Sequence, residues 1–394
     1  MSRKHLHPFP ARMAPELATE ALADLPAGSL VLDPMCGSGT AVLAAAKLGH
    51  KAVGIDIDPH AVLLTRVATS KLRGSSVERR GQAVLDWLDS AEGEQSSQSF
   101  PPWIEEDPDT RAFVDSWFLD AQARPLSGIA SKLASEAGPV SDALRVALCR
   151  TIVTKERGAS LARDTSHSRP HRVFWDNDYD VRSGFERAVR HVAAWLDSAG
   201  VQRRAQVQVG DARRLPKALE GKVDLVVTSP PYLNAIDYLR GHRLALVWMG
   251  HSIATLRKRR SDSVGAERKL SSPAPQVLAI ARAGAPLGDL PSREKGMLYR
   301  YAADMQVVSR QLAKALRVGG GATMVVGNST LRSVFIRNSE CAIEAARLSG
   351  LRLVSESERE LPASHRYLPP PDAGGSALAE RMRTEAVLSF VREA

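Results

Sequence analysis

The chain has 394 residues, of which 44% are hydrophobic, and it carries a formal net charge of +9 at pH 7. This length and apolar content suffice for one large α/β domain with an inserted or appended region, and the positive charge favours a polyanionic partner. Three widely spaced cysteines argue against a disulfide framework, and with neither a signal peptide nor an apolar run of about 18 residues we expect a cytoplasmic protein without a membrane segment.

The opening of the chain, residues 1–28, is rich in histidine and proline and continues into a short helix from Pro15 to Leu22. His5 and His7 alternate as metal ligands do. Since no further set of cysteines and histidines accompanies them, we expect no metal site.

A strand, a tight turn and a helix are predicted over residues 29–48. The apolar run 30–32 ends at Asp33, and a glycine-rich turn leads into small apolar residues at helical spacing. Gly37 and Gly39 allow a ligand to approach the backbone of the turn, and Asp33 is placed to meet the positive end of that ligand.

A second predicted strand, residues 51–56, ends at Asp56, 19 residues after Gly37. A carboxylate at this distance can accept hydrogen bonds from both ribose hydroxyls of a nucleoside-bearing cofactor. Val42 stands where a dinucleotide fingerprint needs its third glycine, and no Gly-Lys-Ser/Thr follows, so the pattern favours neither a nicotinamide site nor a P-loop. An ordinary strand-to-helix turn remains the alternative. Asp58 is expected to cap the next helix.

The regular alternation of strands and helices stops between about residues 74 and 182. Helical patterns cover 110–123 and 141–154, and the segment 155–172 is polar, basic and without apolar periodicity. Such a long stretch without a core pattern favours a surface that contacts phosphate groups, with a solvated loop as the alternative. The phosphate-contacting candidates are Lys155, Arg157, Arg163, Arg169 and Arg172.

Two further predicted strands bring a second polar motif to the sheet. Residues 206–209 lead to Asp211, and residues 223–228 run into Ser229-Pro230-Pro231-Tyr232. The prolines fix φ at two successive residues, so the carbonyls of Ser229 and Pro230 can face the cleft beyond the strand ends. Tyr232 beside them can stack on a flat ring. The motif therefore predicts a site for an exocyclic amino group, with a proline-stiffened loop as the alternative.

The sequence resembles the amino-directed DNA methyltransferases at three motifs. Residues 33–40 and 228–232 resemble motifs I and IV of that family, and residues 7–13 resemble motif X. The Ser-Pro-Pro-Tyr form is most typical of N4-cytosine enzymes, whereas N6-adenine enzymes more often carry Asp or Asn in place of Ser229. The resemblance covers approximately residues 5–73 and 205–250. It implies a class I S-adenosylmethionine-dependent methyltransferase fold: an open, twisted, mostly parallel sheet with helices on both faces, plus a mainly helical or irregular insertion.

The resemblance implies S-adenosyl-L-methionine as cofactor and the exocyclic N4 amino group of a flipped-out cytosine in double-stranded DNA as target. The implied catalytic residues are Ser229, Pro230, Pro231 and Tyr232. The cofactor-binding candidates, from the residues and the resemblance together, are Pro8, Phe9, Arg12, Asp33, Pro34, Cys36, Gly37, Gly39, Thr40, Asp56, Ile57, Asp211, Ala212 and Thr228.

The C-terminal half supplies further DNA-contacting candidates and completes the sheet. Asn234 lies next to the Ser-Pro-Pro-Tyr site in sequence, and a basic loop is expected to present Arg257, Lys258, Arg259 and Arg260 to DNA. A helix of about 298–316 is expected to stop at the glycines 319–321 and to be followed by strand 322–326. A helix at about 338–348 and strands near 351–355 and 386–391 follow.

The methyltransferase domain is predicted to consist of three separate sequence segments. The methyltransferase domain is expected at 1–73, 183–250 and 297–394, with candidate DNA-recognition regions at 74–182 and 251–296. N6-adenine or RNA methylation is the alternative within the enzyme class, and a catalytically silent DNA-binding module is the alternative outside it. A cognate restriction endonuclease as partner, and a monomer or homodimer, stay open.

Overall fold

The computed structural model describes residues 5–9, 12–152, 154, 157–162, 172, 175–233, 238–266, 269–332, 334–361 and 384–394. The chain divides into two compact units. Unit 1 comprises Met1–Pro10, Asp58–Arg204 and Ile236–Arg260, and unit 2 comprises Ala11–Ile57, Ala205–Ala235 and Ser261–Ala394.

The described strands are β1 Leu30–Asp33, β2 Lys51–Asp56, β3 Gln206–Val209, β4 Val223–Thr228, β5 Leu316–Gly327, β6 Ser329–Leu331, β7 Val334–Ile336, β8 Leu351–Glu360 and β9 Thr384–Arg392. The described α-helices are α1 Pro15–Leu22, α2 Thr40–Lys47, α3 Pro59–Ala68, α4 Gly74–Leu88, α5 Ala91–Gln98, α6 Pro102–Glu105, α7 Pro108–Trp117, α8 Asp120–Ala134, α9 Pro139–Ile152, α10 Val181–Ser198, α11 Tyr238–Leu246, α12 Ile253–Asp262, α13 Pro275–Gly284, α14 Ser292–Ala315 and α15 Asn338–Arg347.

Unit 2 is built on a seven-stranded sheet in the order β3-β2-β1-β4-β5-β9-β8. Strands β1 to β5 pair in parallel, and β9 runs antiparallel between β5 and β8. The chain moves outward from β1 through β2 to β3 and then returns to place β4 on the other side of β1. This reversal between β1 and β4 is the topological switch point at which open α/β sheets bind their ligands.

The sheet of unit 2 is covered by helices on both faces. In β4, Leu225 and Val227 belong to a core cluster that includes residues of α1 and α2, whereas Val226 belongs to a second cluster with α13, α14 and α15. Successive strand residues point to opposite faces, so this alternation assigns the two helix layers to opposite sides. The architecture is an open, mostly parallel sheet with helices on both faces, as the sequence predicted.

The glycines 319–321 lie in a different element from the one that the sequence predicted. Helix α14 already ends at Ala315, and the glycines 319–321 lie within β5 instead of stopping the helix. Pairing between β4 and β5 jumps from Val223↔Leu316 to Leu225↔Gly321, which marks a bulge. Gly319 has φ +74°, and a Cβ on Gly320 would lie 2.9 Å from the carbonyl oxygen of Arg317. The glycines therefore allow a bulged strand to begin directly after the helix.

Unit 1 contains the helices α3 to α11 and most of α12. The interior of this unit includes the fully buried side chains of Ile129, Leu144, Phe185 and Trp248. Within the part of the chain that the structure describes, no helix is long and apolar enough to cross a bilayer.

The basic stretch near residue 258 forms a helix, whereas the sequence predicted a loop over 251–296. Ile253 and Leu256 are fully buried one helical turn apart, and the Ile253 N–H donates to Thr110 Oγ1 at 2.9 Å. Two buried apolar residues are a weak helical pattern, and the polar residues around them kept the sequence analysis from predicting a helix. They nevertheless fix α12 as a helix that carries Arg257 to Arg260.

Candidate active site at the carboxyl ends of β1, β2 and β4

The turn after β1 has a backbone that requires glycine at two positions. Gly37 and Gly39 have φ of +49° and +85°, in the left-handed region that other residues rarely adopt. The Gly39 N–H donates to the Cys36 carbonyl at 2.7 Å, and α2 begins at Thr40. The predicted strand, tight turn and helix are therefore confirmed.

Asp33 ends β1 as a buried carboxyl group with two hydrogen-bond donors. Only 4% of its surface is exposed. Its Oδ1 accepts from Thr228 Oγ1 at 2.8 Å and from the Met35 N–H at 3.2 Å. Burial raises the pKa of Asp33 from 3.8 to about 7; the negative charge of Asp56 acts in the same direction, and the two hydrogen bonds oppose it. The site thus holds a carboxyl group that titrates near neutral pH.

Asp56 ends β2 and contacts the glycine turn directly. Its Oδ2 accepts from the Gly37 N–H at 2.8 Å. The backbone reinforces this contact, since the Cys36 N–H donates to the Ile55 carbonyl at 3.0 Å. A half-buried carboxylate therefore lies beside the turn at the end of the neighbouring strand, where the sequence placed a ribose-binding residue.

The Ser-Pro-Pro-Tyr motif follows β4, the strand that pairs with β1. Thr228 is fully buried against Asp33, Ser229 is exposed, and Tyr232 is half-buried. The Ser229 hydroxyl donates to the Val325 carbonyl on β5 at 2.9 Å. Because a hydroxyl carries one proton and two lone pairs, this bond leaves the Ser229 oxygen as an acceptor toward any other group.

Asp211 lies after β3 in an ion-pair network. The Arg213 guanidinium donates to both Asp211 oxygens and reaches Asp304 Oδ1 at 2.8 Å. Burial works to raise the pKa of Asp211, but the hydrogen bonds from Arg213 outweigh it and lower that pKa. Asp304 also accepts from Arg300, so four charged side chains share this network. Neighbouring Ala212 is buried in the core.

Arg213 and Asp304 were missed by the sequence analysis. Arg213 is one of two adjacent arginines, and its partner Asp304 stands 91 residues further along the chain. The alternation of apolar and polar residues gives no signal for such a pair. An arginine two residues after the predicted Asp211 is the one hint that the sequence offered.

The other cofactor candidates divide between the two units. Pro34, Cys36, Thr40 and Ile57 lie in unit 2 around the glycine turn, as does the half-buried Arg12 near the start of that unit. Pro8 and Phe9 belong to unit 1, where the Phe9 ring centroid lies 5.1 Å from that of His242. Asp58 also belongs to unit 1 and caps α3 as expected, accepting from the His60 N–H at 2.9 Å.

Some of the candidate nucleic-acid-binding residues lie within the described part of the chain. Arg157 pairs with Asp178 at 2.5 Å, the Arg172 guanidinium lies 4.6 Å from the ring centroid of Trp175, and Arg257 pairs with Asp109 at 2.9 Å, all in unit 1. Lys258, Arg259 and Arg260 follow on α12. The remaining candidates, Lys155, Arg163, Arg169 and Asn234, lie outside the described residues.

The N-terminal segment of the chain matches the model of a known protein family. Residues 2–66, which include the turn after β1 and Asp56, match the family model described as DNA methylase. The matched segment is 65 of the 394 residues of this chain. The cofactor that this family implies is S-adenosylmethionine.

Curated relatives match shorter stretches. The chain is 30% identical over 84 residues to the type II methyltransferase M.MjaII of Methanocaldococcus jannaschii, covering 21% of this chain and 15% of that protein. It is 58% identical over 41 residues to the ribosomal protein L11 methyltransferase of Mannheimia succiniciproducens, covering 10% and 14%. The matches therefore span about a seventh of each of these curated relatives.

Two of the solved structures that resemble this chain share limited similarity with it. A TehB-like SAM-dependent methyltransferase from Corynebacterium glutamicum is 11% identical, with a TM-score of 0.31 over 96% of this chain and 88% of the other. The rRNA methyltransferase AviRa from Streptomyces viridochromogenes is 12% identical, with a TM-score of 0.33 over 97% and 87%. Similarity this low carries no argument about the site.

The residues at the switch point fit S-adenosylmethionine. The positive φ angles of Gly37 and Gly39 create a turn without side chains at those two positions, so a ligand can lie against the backbone. Asp33 and Asp56 supply carboxylates at the ends of adjacent strands, which suit an ammonium group and ribose hydroxyls. Among the described residues, no group of histidine, cysteine or acidic side chains is arranged to hold a metal ion.

Proposed function

We propose that this protein transfers the methyl group of S-adenosylmethionine to the N4 amino group of a cytosine in double-stranded DNA. The observation that carries the proposal is the 2.8 Å hydrogen bond from Thr228 to Asp33, because it joins the glycine-turn motif to the Ser-Pro-Pro-Tyr motif across the paired strands β1 and β4. A methyl donor at one motif and an acceptor amine at the other then meet at a single strand edge.

The cofactor is assigned to the turn after β1. S-adenosylmethionine supplies a sulfonium-bound, electrophilic methyl group when bound. Asp56 accepts hydrogen bonds from the ribose hydroxyls, and Asp33 faces the positive end of the methionine portion. Pro34, Cys36, Gly37, Gly39, Thr40, Ile57, Asp211, Ala212 and Thr228 complete the proposed set in unit 2, together with Arg12.

The target amine is assigned to the residues after β4. The Ser229 oxygen, whose proton is directed to Val325, and the Pro230 carbonyl accept the two amino hydrogens. These hydrogen bonds draw the nitrogen toward tetrahedral geometry and aim its lone pair at the methyl group, so that positioning supplies much of the rate. As the C–N bond forms, the bond between the methyl group and sulfur breaks, and the nitrogen releases one amino proton to solvent. Pro231 stiffens the turn, and Tyr232 stacks on the base.

The proposed transfer is direct, without a covalent enzyme intermediate, and the environments of Cys149 and Cys341 support it. Burial raises the pKa of the Cys149 thiol far above its ordinary value, and it raises that of Cys341 to about 12. Since the thiolate is the nucleophile, neither side chain can attack a base near neutral pH. Cys36 is buried beside the glycine turn, where a Cβ on Gly54 would lie 3.3 Å from its Sγ.

DNA is the proposed substrate because the chain as a whole is basic and α12 carries a run of positively charged residues. The net charge of +9 and the four consecutive cations of α12 favour a polyanion. The proposed phosphate contacts are Arg157, Arg172 and Arg257 to Arg260, with Lys155, Arg163 and Arg169 from the sequence. Asn234 is proposed to contact the target base. The target cytosine must leave the helix to reach the strand edge, at a cost of a few kcal/mol that these contacts offset. A restriction-modification role is consistent with the type II methyltransferase relative.

The experiment is incubation with isotopically labelled S-adenosylmethionine and mixed-sequence duplex DNA, followed by digestion to nucleosides and mass spectrometry. N4-methylcytosine is the expected product, and its flanking sequence defines the recognition site. N6-methyladenine as the product would contradict cytosine as the target base but would still support methyl transfer from S-adenosylmethionine to DNA. Labelled RNA in a parallel reaction, with unlabelled DNA, would overturn DNA as the substrate. Absence of label in both would favour a catalytically silent binding protein.

A further inference from the structure

The ring of Tyr232 lies against the end of β5. A Cβ added to Gly327 would come within 3.2 Å of both Cδ1 and Cε1 of that ring, and within 3.8 Å of Cγ. A contact of 3.2 Å is closer than carbon atoms ordinarily pack, which is about 3.5–4.0 Å. Gly327 does not have a positive φ. The ring, and not the backbone conformation, is therefore the reason for glycine at this position.

The backbone of Tyr232 has a second close neighbour. A Cβ on Gly265 would lie 3.3 Å from the Tyr232 carbonyl oxygen and 3.9 Å from Pro231 Cβ. Gly265 and Gly327 both belong to unit 2 but are far apart in the sequence, one before α13 and one at the end of β5. Gly265 therefore lies beside the main chain of Tyr232, and Gly327 lies beside its ring.

Asn338 holds the end of β5 in place. Its side chain is fully buried, and its Nδ2 donates to the Gly327 carbonyl and to Ser329 Oγ, each at 3.0 Å. Its Oδ1 has no hydrogen-bond partner among the described residues. An unpaired buried oxygen destabilises a fold, so Asn338 combines two favourable hydrogen bonds at Nδ2 with a cost at Oδ1. The Ser339 N–H also donates to Asn328 Oδ1 at 3.1 Å, which fixes the same chain reversal.

We propose that Gly327 and Asn338 are positioning residues for the target base, because together they set the ring plane of Tyr232 at the end of β5. Asn338 fixes the Gly327 carbonyl, and the absence of a side chain on Gly327 lets the Tyr232 ring approach β5. A base that stacks on Tyr232 then has one allowed plane relative to the Ser229 and Pro230 acceptors. The inference rests on the proposed function for the identity of the base and extends it to two residues outside the motif.

The test compares Gly327→Ala with Gly321→Ala. Both glycines lie in β5 without a positive φ, and a Cβ at Gly321 would also meet a side chain at 3.2 Å, but that side chain is Leu225 in the core. The two variants therefore impose a matched steric load on one strand. A Cβ contact of 3.2 Å requires the Tyr232 ring to shift by only a few tenths of an ångström. Since a displacement of about an ångström at a reacting group reduces rates by about a hundredfold, we expect Gly327→Ala to lower kcat by about tenfold. The dissociation constant for S-adenosylmethionine should stay within about twofold, and Gly321→Ala should leave kcat unchanged.

A spectroscopic measurement separates this inference from the proposed function. The six tyrosines are replaced biosynthetically by 3-fluorotyrosine, and the fluorine resonance of Tyr232 is assigned by its loss in Tyr232→Phe. Gly327→Ala and Asn338→Ala should shift that resonance, whereas Gly321→Ala should not. An unshifted resonance in Gly327→Ala overturns the inference, as does an unchanged kcat in an active enzyme. If the wild-type protein transfers no methyl group, the proposed function fails, and the resonance still decides whether these residues position Tyr232.

Discussion

The Thr228 hydroxyl donates a 2.8 Å hydrogen bond to the Asp33 carboxylate, and the two residues are 195 positions apart in the chain. The parallel pairing of β1 with β4 brings them together at one strand edge. Because both side chains are buried, the bond forms in a low-dielectric environment where it is stronger than in water. The cofactor motif and the target motif are therefore coupled through one charge-sensitive contact.

Thr228→Val removes the donor and keeps the shape of the side chain. The lost hydrogen bond normally lowers the pKa of Asp33, so in the variant this pKa rises above about 7 and more of the carboxyl group is protonated at neutral pH. We expect the acidic limb of the pH profile of kcat/KM for S-adenosylmethionine to move to higher pH. A profile that coincides with that of the wild type would show that Thr228 does not tune Asp33.

In the absence of cofactor, Asp33→Asn should stabilise the folded protein by an amount that depends on pH. Asp33 has a pKa of about 7 in the folded protein against an ordinary 3.8, so the folded state favours the protonated acid. Stability from this group is therefore complete below about pH 4 and is lost as the pH rises through about 7, by up to about 4 kcal/mol. Since asparagine is always neutral, its gain in Tm over the wild type should be larger near pH 8 than near pH 5. Equal gains at both pH values would contradict the buried-acid assignment.

Asp56→Asn tests the proposed ribose contact. The substitution removes the charge that accepts the Gly37 N–H and, in the proposal, the ribose hydroxyls. Hydrogen bonds to charged groups are worth about 1.5–3 kcal/mol, so the dissociation constant for S-adenosylmethionine should rise by roughly ten- to a hundredfold in calorimetry. Asp24→Asn, at an exposed carboxylate of the same unit, is the control and should bind normally. Equal affinities for the two variants would remove Asp56 from the cofactor site.

Lys258→Gln tests the basic helix α12. Lys258 is exposed between Arg257 and Arg259, so the loss of its charge should weaken DNA binding similarly for all sequences. The slope of log affinity against log salt should become shallower by about 0.9, the value for one lost phosphate contact. Lys222→Gln, at an exposed lysine just before β4, is the control. An unchanged salt slope for Lys258→Gln would exclude this residue from the DNA interface.

The sequence predicted the parts of the site that depend on local spacing. Asp33, the two glycines of the turn and Asp56 could be placed because strand, turn and helix follow one another within 30 residues or so, and periodicity reports such short-range order well. The sequence also predicted that the second polar motif faces the cleft beyond the strand ends, but the direct pairing of β1 with β4 was established only by the structure.

Long-range pairs and bulges lay beyond that reasoning. The Arg213–Asp304 ion pair and the Ser229 bond to Val325 join positions 91 and 96 residues apart, and neither leaves a periodic signal. The glycines 319–321 were read as a helix stop because glycine serves both helix ends and bulges, and only strand pairing distinguishes the two. For α12, two buried anchors at Ile253 and Leu256 decided the structure against a strongly polar sequence.

The most direct measurement of the central claim is turnover and cofactor binding by Tyr232→Ala beside the wild type, with duplex DNA and labelled S-adenosylmethionine. Stacking on an aromatic side chain is worth about 1–3 kcal/mol per base, and the ring also orients the amine. We therefore expect methyl transfer to fall by about a hundredfold, with the dissociation constant for S-adenosylmethionine within about twofold of the wild type. Unchanged methyl transfer by Tyr232→Ala would contradict the assignment of the Ser-Pro-Pro-Tyr motif as the target-base site.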